Sequence, residues 1–275
     1  MVFIVKVPGI NGLGKTKGCE KAGNAILESL KEIYSNEQGK PIDVKLLDLE
    51  EIHLDNSNLE LSNKLIYENA IKILSDKPKT IFLGGDHSIS YSLARAFLDS
   101  CKDNSKEPVL IIFDAHADCM PLVKGSESYP THEAWLRGLI ETGFNPKNIL
   151  LVGIRNLDAR EFEFINEKHI RIVHTNQLLN DLDDTCDIMM EFAFSQDKEL
   201  YLSLDIDVVD PAFAPATGYL EPGGLTSRQF IYLIQRINKM KNLKAVDLVE
   251  INPVLDEKHG MITTKLGAKI LSELL

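Results

Sequence analysis

Residues 109–118 read VLIIFDAHAD: an unbroken apolar run that ends in an acidic and imidazole cluster, Asp114, His116 and Asp118. Short runs of this kind, rich in Ile, Val and Leu, recur along the chain as candidate strands. The others are residues 2–7 (VFIVKV), 42–49 (IDVKLLDL), 80–85 (TIFLGG), 148–154 (NILLVGI), 170–174 (IRIVH), 199–206 (ELYLSLDI) and 244–251 (KAVDLVEI). Between most of them lie stretches with helical spacing. In residues 19–34, Ala22, Ile26, Leu27, Leu30 and Ile33 share one face, and residues 88–100, 132–143 and 226–240 behave likewise. Strands that alternate with helices predict an α/β fold: three layers, α/β/α, around a central, mostly parallel sheet of about eight strands. No low-complexity linker and no internal repeat interrupts the chain, so one domain spanning 1–275 is expected.

The composition narrows the function. The chain has 275 residues, 44% hydrophobic and 26% charged, with a formal net charge of -11. That acidity argues against nucleic acid or an anionic membrane as a general partner. No stretch approaches the roughly 18 apolar residues of a membrane span. The N-terminal apolar run is too short for the core of a signal peptide. Cys19, Cys101, Cys119 and Cys186 lack C-x-x-C spacing and read as free thiols, which predicts a cytoplasmic protein.

Residues 9–18 (GINGLGKTKG) fit the P-loop pattern at Gly9, Gly14, Lys15 and Thr16, with Asp114 as a possible magnesium-binding aspartate. A P-loop helix starts at the Gly-Lys-Thr, so that its N–H groups face phosphate. Here Gly18 would fall in the first turn, where it costs about 1 kcal/mol relative to Ala. The amphipathic pattern begins only near Glu20, so an irregular turn is expected instead.

Three stretches concentrate the chemistry: GGDHS (84–88), DAHAD (114–118) and SLDIDVVDP (203–211), each directly after an apolar run. In a parallel sheet the C-terminal ends of all strands lie along one edge, where α/β proteins bind ligands. On an extended chain, residues two apart share a face, so Asp114, His116 and Asp118 should project together, as should Asp205 and Asp207. A lone strand-end Asp is usually a cap or turn residue, and Asp86 or Ser88 suits that role. Three clusters on one edge point elsewhere. So many like charges resist burial unless cations neutralise them. Four carboxylates match two divalent ions, and oxygen-rich ligands with two imidazoles suit Mn²⁺. Two such ions about 3.5–4 Å apart can hold a shared water and lower its pKa toward neutrality.

At these motifs the sequence resembles the arginase–agmatinase (ureohydrolase) family. Beyond the three clusters, KGCEKAGNAIL (17–27), VGIRN (152–156), VEINP (249–253) and the C-terminal ITTKLGAKILSELL (262–275) stand in family order. The resemblance implies hydrolysis of a guanidinium C–N bond with release of urea, on two Mn²⁺ per subunit. His87 and Asp118 would hold one ion, His116 and Asp207 the other, with Asp114 and Asp205 bridging. It further implies that His132 shuttles a proton or contacts substrate, that Glu250 pairs with the guanidinium, and that the chain forms trimers or hexamers. His132 is followed by Glu133 where many agmatinases have Gly. Met120 stands where arginases carry an Asn that holds the substrate carboxylate. Agmatine is therefore the expected substrate. Arginine, a guanidino acid and formiminoglutamate remain alternatives, and a P-loop NTPase or a non-catalytic family member remains a remote one. Arg155 and Asp158 lie where the family contacts the substrate's tail, and Arg155 would favour an acidic one. A surface or interface ion pair is its plainer role. Cys119 is expected to point away from the metals, and Trp135 to pack in the core or an interface. His53, His169, His174 and His259 match no ligand spacing.

Overall fold

A computed structural model describes residues 2–12 and 14–275. Eight strands form one sheet: β1 (Val2–Val7), β2 (Asp48–Glu51), β3 (Lys79–Gly84), β4 (Glu107–Phe113), β5 (Ile149–Ile154), β6 (Arg171–His174), β7 (Lys198–Asp205) and β8 (Leu243–Val249). Every pairing is parallel and the order is β2-β1-β3-β8-β7-β4-β5-β6. The α/β/α expectation holds. The middle strands are buried on both faces, which is why they read as continuous apolar runs rather than as alternating ones.

Ten helices complete the described fold: α1 (Ala22–Leu30), α2 (Leu59–Asp76), α3 (Ile89–Asp103), α4 (Trp135–Glu141), α5 (Ala159–Lys168), α6 (Thr175–Asn180), α7 (Leu182–Ala193), α8 (Ser227–Ile237), α9 (Pro253–Asp256) and α10 (Ile262–Leu274). One apolar core joins the sheet to Ile26, Met189, Phe230 and Leu271, from α1, α7, α8 and α10. A second lies on the opposite face, with Ile66, Phe97, Trp135 and Phe164 from α2, α3, α4 and α5. The chain therefore leaves β3 and β4 toward one face, and their neighbours β8 and β7 toward the other. Crevices between strands that part in this way are where such sheets bind ligands.

Several expectations need correction. The run 42–49 is not a strand: a 3-10 turn occupies Val44–Leu46, and β2 begins only at Asp48. As an exposed edge strand, β2 has little apolar signal to mark it. Residues 59–76 were not among the expected helices, yet they form the longest one. Asn58 caps it, its side chain accepting from the Leu61 N–H at 3.1 Å. Helix α1 ends at Leu30, which leaves Ile33 outside the helical face assigned to it.

The stretch 9–18 takes no P-loop geometry. Helix α1 starts at Ala22 after a 3-10 turn, seven residues beyond Lys15, and Gly18 has a φ of 115°. The loop wraps a carboxylate instead. Asp86 Oδ2 accepts from the Asn11 N–H at 2.7 Å and from Thr16 Oγ1 at 2.8 Å. A Cβ on Gly85 would lie 1.9 Å from the Gly9 carbonyl oxygen, so that glycine admits the loop. Asp86, expected as a cap, also accepts from the Ser88 N–H at 3.1 Å at the start of α3.

Candidate functional site

The four central strands, β3, β8, β7 and β4, deliver all the acidic and imidazole groups expected at the sheet edge. His87 follows β3, Asp114 to Asp118 follow β4, Asp205 ends β7, Asp207 follows it, and Glu250 follows β8. Their convergence is not strand alternation. The chain leaves the sheet after Phe113, and Asp118 sits in the left-handed region at φ 51°. Asp207 lies in the 3-10 turn Ile206–Val208, and its own N–H donates to Asp205 Oδ1 at 2.8 Å. Glu250 is also left-handed, at φ 63°. Non-glycine residues rarely adopt this conformation and persist in it only where the surroundings impose it.

Two groups of potential ligand atoms share Asp114. His87, Asp114 and Asp205 form one, and Asp114, His116 and Asp207 the other, with the atoms of each group within 4.8 Å of one another. His87 Nδ1 lies 2.9 Å from Asp118 Oδ2, 3.1 Å from Asp114 Oδ2 and 3.2 Å from Asp205 Oδ2. Even so, this buried nitrogen has no hydrogen-bond partner among the described residues. A nitrogen lone pair and three carboxylate oxygens facing one point need a cation at that point. His116 Nδ1 lies 2.9 Å from Asp207 Oδ2 in the same manner.

Electrostatics agree. Burial, then Asp114, pushes the Asp118 carboxyl up to about 7. Burial and neighbouring carboxylates likewise raise Asp205, Asp207 and Glu250. Asp114 goes the other way: burial opposes ionisation, but His116 and His87 hold its carboxyl below the usual range. Such carboxylates cannot all ionise in a dry site without positive charge among them. Hard oxygen donors with two imidazoles fit a pair of divalent cations of the manganese type.

A cavity of about 420 Å³ opens over the cluster. His132 and Glu250 line it, with His132 Nδ1 3.7 Å from Glu250 Oε1. Burial lowers the His132 pKa, and its Nε2 is buried without a partner among the described residues. A neutral imidazole thus lines the cavity beside a carboxyl group, with one ring nitrogen buried and unpartnered among the described residues. Glu250 Oε1 accepts from the His87 N–H at 2.9 Å, which fixes its carboxyl group.

The tail end of the cavity differs from expectation. Arg155 does not face it. Its guanidinium donates to the carbonyls of Asp207 (2.6 Å), Glu221 (2.6 Å), Gly153 and Val208 (3.3 Å each). With Nε donating to the Glu221 and Pro222 carbonyls, all its donors are spent tying the end of β5 and the turn after β7 to residues 221 and 222, and it makes no ion pair among the described residues. Asp158 does reach the rim, but it also caps α5 with Glu161 and pairs with Arg160 at 2.8 Å. Met120 lines the wall, and Cys119 is fully buried in the second core, away from the cavity.

Sequence reasoning missed four contributors. Trp135 is more than packing: its ring Nε1 donates to Asp118 Oδ2 at 2.9 Å, and its face lies 4.8 Å from the His87 ring. Glu221 Oε1 lies 3.3 Å from His116 Nε2 and steadies that ring. Tyr219, 5.1 Å from the His132 ring, and Glu161 complete the walls. Only Glu161 had a local signal, three residues after the helix-capping Asp158.

The fold and this cluster define a class: α/β hydrolases that work with a pair of metal ions on the C-terminal edge of a parallel sheet. A model of the Arginase family matches residues 2–275, and the chain belongs to that family, whose members are metal-dependent hydrolases of guanidino and amidino compounds. The chain is 30% identical to the agmatinase of Bacillus subtilis strain 168 over 234 residues, 85% of this chain and 75% of the relative. It is 28% identical to the formimidoylglutamase of the same strain over 282 residues, 97% of this chain and 86% of that one. The crystal structure of formimidoylglutamase from Bacillus subtilis superposes with a TM-score of 0.88 at 24% identity, covering 99% of this chain and 85% of that chain.

Proposed function

We propose that the protein hydrolyses a guanidino compound with a cationic tail, agmatine first, to urea and an amine, using two Mn²⁺ per subunit. The observation that carries this reading is Asp114 shared between two ligand groups beneath a cavity lined by Glu250. In the proposed assignment His87 and Asp118 would hold one ion and His116 and Asp207 the other, with Asp114 and Asp205 available to both. When bound, two such ions activate water as a nucleophile.

The chain's own groups account for the remaining steps. Glu250, whose pKa burial raises, gains from a cationic partner, and a planar guanidinium can meet its two oxygens at once. That contact turns the guanidinium carbon toward the ligand cluster. His132, kept neutral by burial, takes up a proton and passes it to the leaving amine in this reading. Trp135 packs over His87, which is fully buried, and donates to Asp118.

The tail reading rests on charge. Glu133, Asp158 and Glu161 line the cavity, and among the described residues no Lys or Arg does. An ammonium tail suits such a wall better than the carboxylate of arginine or formiminoglutamate. Met120 offers no donor to a carboxylate, and Arg155 is already occupied. We further infer a cytoplasmic enzyme of one domain that assembles as a trimer or hexamer.

The test is product release by manganese-loaded protein from agmatine, arginine, 4-guanidinobutyrate and formiminoglutamate, scoring urea, or formamide for the last. Agmatine is expected to give the highest kcat/KM. Turnover of formiminoglutamate above agmatine would overturn the tail reading, and no product from any compound would overturn the hydrolytic reading itself.

A further inference from the structure

A carboxylate is buried in the middle of the sheet with no cation beside it. Asp247 lies within β8, fully buried, and it makes no ion pair among the described residues. A bare buried charge is strongly unfavourable, so its surroundings have to explain it. Four donors point at it. Oδ2 accepts from Tyr201 Oη at 2.7 Å and Ser90 Oγ at 2.6 Å, and Oδ1 accepts from Ser203 Oγ at 2.7 Å and the Leu204 N–H at 3.3 Å. Ser203 stands directly opposite Asp247 in the β7–β8 register. Its Oγ also lies 3.0 Å from His87 Nε2.

The direction of each hydrogen bond follows from counting protons. A serine hydroxyl carries one, and here the Asp247 carboxylate takes it. Ser203 Oγ can then only accept on its other side, so the proton on His87 must sit on Nε2. In the neutral ring, the form that binds a cation, that leaves the Nδ1 lone pair directed at Asp114, Asp118 and Asp205, the point where a cation is needed. The geometry points to Asp247 and Ser203 as positioning residues: Asp247 orients Ser203, and Ser203 locks the His87 ring and its tautomer for metal binding. His116 receives the same service from Glu221 directly, but at the half-buried end of the cluster. The inference rests on the proposed role of His87 as a ligand.

The test measures Mn²⁺ binding rather than turnover. Titration followed by the electron paramagnetic resonance signal of free Mn²⁺ gives both dissociation constants for the wild type and for Ser203→Ala, Asp247→Asn and Tyr201→Phe. Loss of the orienting contact is expected to weaken one site by about 10- to 100-fold and spare the other, as is usual when a ligand loses its outer partner. Asp247→Asn keeps the shape of the side chain and is expected to show the same selective loss. Tyr201→Phe removes a hydrogen bond to the same carboxylate without touching His87. It is expected to leave both constants within about twofold, although it lowers the melting temperature of the metal-free protein by a few degrees. Wild-type affinity in Ser203→Ala and Asp247→Asn, or an equal loss in Tyr201→Phe, would overturn this inference alone. Wild-type protein that bound no Mn²⁺ would overturn the ligand reading with it.

Discussion

At the scale of single residues, most of the candidate ligands were legible. Asp and His placed directly after apolar strands are visible without a structure, because strand ends on one sheet edge converge whatever their spacing in sequence. What was not legible is the backbone that aims them. The left-handed φ of Asp118 and of Glu250 has no sequence signature at a non-glycine residue. Arg155 misled for a related reason: a guanidinium in a site loop suits an acidic ligand, and only the folded loop shows its donors already spent on carbonyls. Glu133 has the opposite history. It stands where many relatives have Gly, and its side chain lines the cavity without a hydrogen bond or ion pair among the described residues. Its carboxylate is free to meet an ammonium tail. Glu133→Gln is expected to raise KM for agmatine about 5-fold, worth about 1 kcal/mol, with kcat little changed. Steady-state kinetics check this, and an unchanged KM would remove Glu133 from the tail site.

At the scale of elements, one side chain ties the loop between β7 and α8 back to the ends of two strands. Arg155 bridges the ends of β5 and β7 to residues 221 and 222 through its fork of donors. Several of those carbonyls would lose their partner in Arg155→Met, at an expected cost of about 3 kcal/mol. Arg155→Lys is expected to recover little, because an ammonium cannot reach divergent carbonyls as a planar guanidinium does. Thermal melting of the two variants tests this; full rescue by lysine would mean that charge alone suffices. The same loop carries Tyr219 and Glu221, so the variants are also expected to loosen the cavity wall. Helix α2 shows the limit of pattern reading at this scale. Its buried stripe, Ile66, Ala70, Ile73 and Leu74, is narrow and interleaved with polar residues, so helical spacing is weak over 18 residues.

At the scale of the whole molecule, stability and function meet in the ligand cluster. Each ion that binds only the folded chain adds about 2.7 kcal/mol at 100 times its Kd. For a chain of this size that corresponds to a rise of roughly 5–10 °C in melting temperature. The effect should depend on pH, with a sign set by the carboxyls. Asp118, raised to about 7, and Asp205 and Asp207, also raised, hold protons in the folded metal-free state that the unfolded chain has released. The stabilisation from Asp118 is present below the ordinary carboxyl range and is lost as pH rises through about 7, and that from Asp205 and Asp207 is lost in the same direction. Metal binding needs them ionised. The melting-temperature gap between manganese-loaded and chelator-treated protein is therefore expected to widen from about pH 5 to pH 8. A gap independent of pH would place the ions elsewhere.

The order of apolar runs and helical stretches was enough by itself to determine an α/β/α fold with a parallel sheet, and the residues ending those runs were enough to locate the site. Both are local signals, readable because burial on two faces and placement at a strand end leave direct marks on composition. The tertiary structure alone decided which strands are neighbours, and so which clusters meet. It put β8 between β3 and β7, setting Asp247 opposite Ser203 and within a relay of His87, three residues that are far apart in sequence. It also gave the P-loop-like turn a carboxylate to hold instead of a phosphate. Hydrogen bonds between distant strands depend on register, and register is set by the packing of the entire sheet.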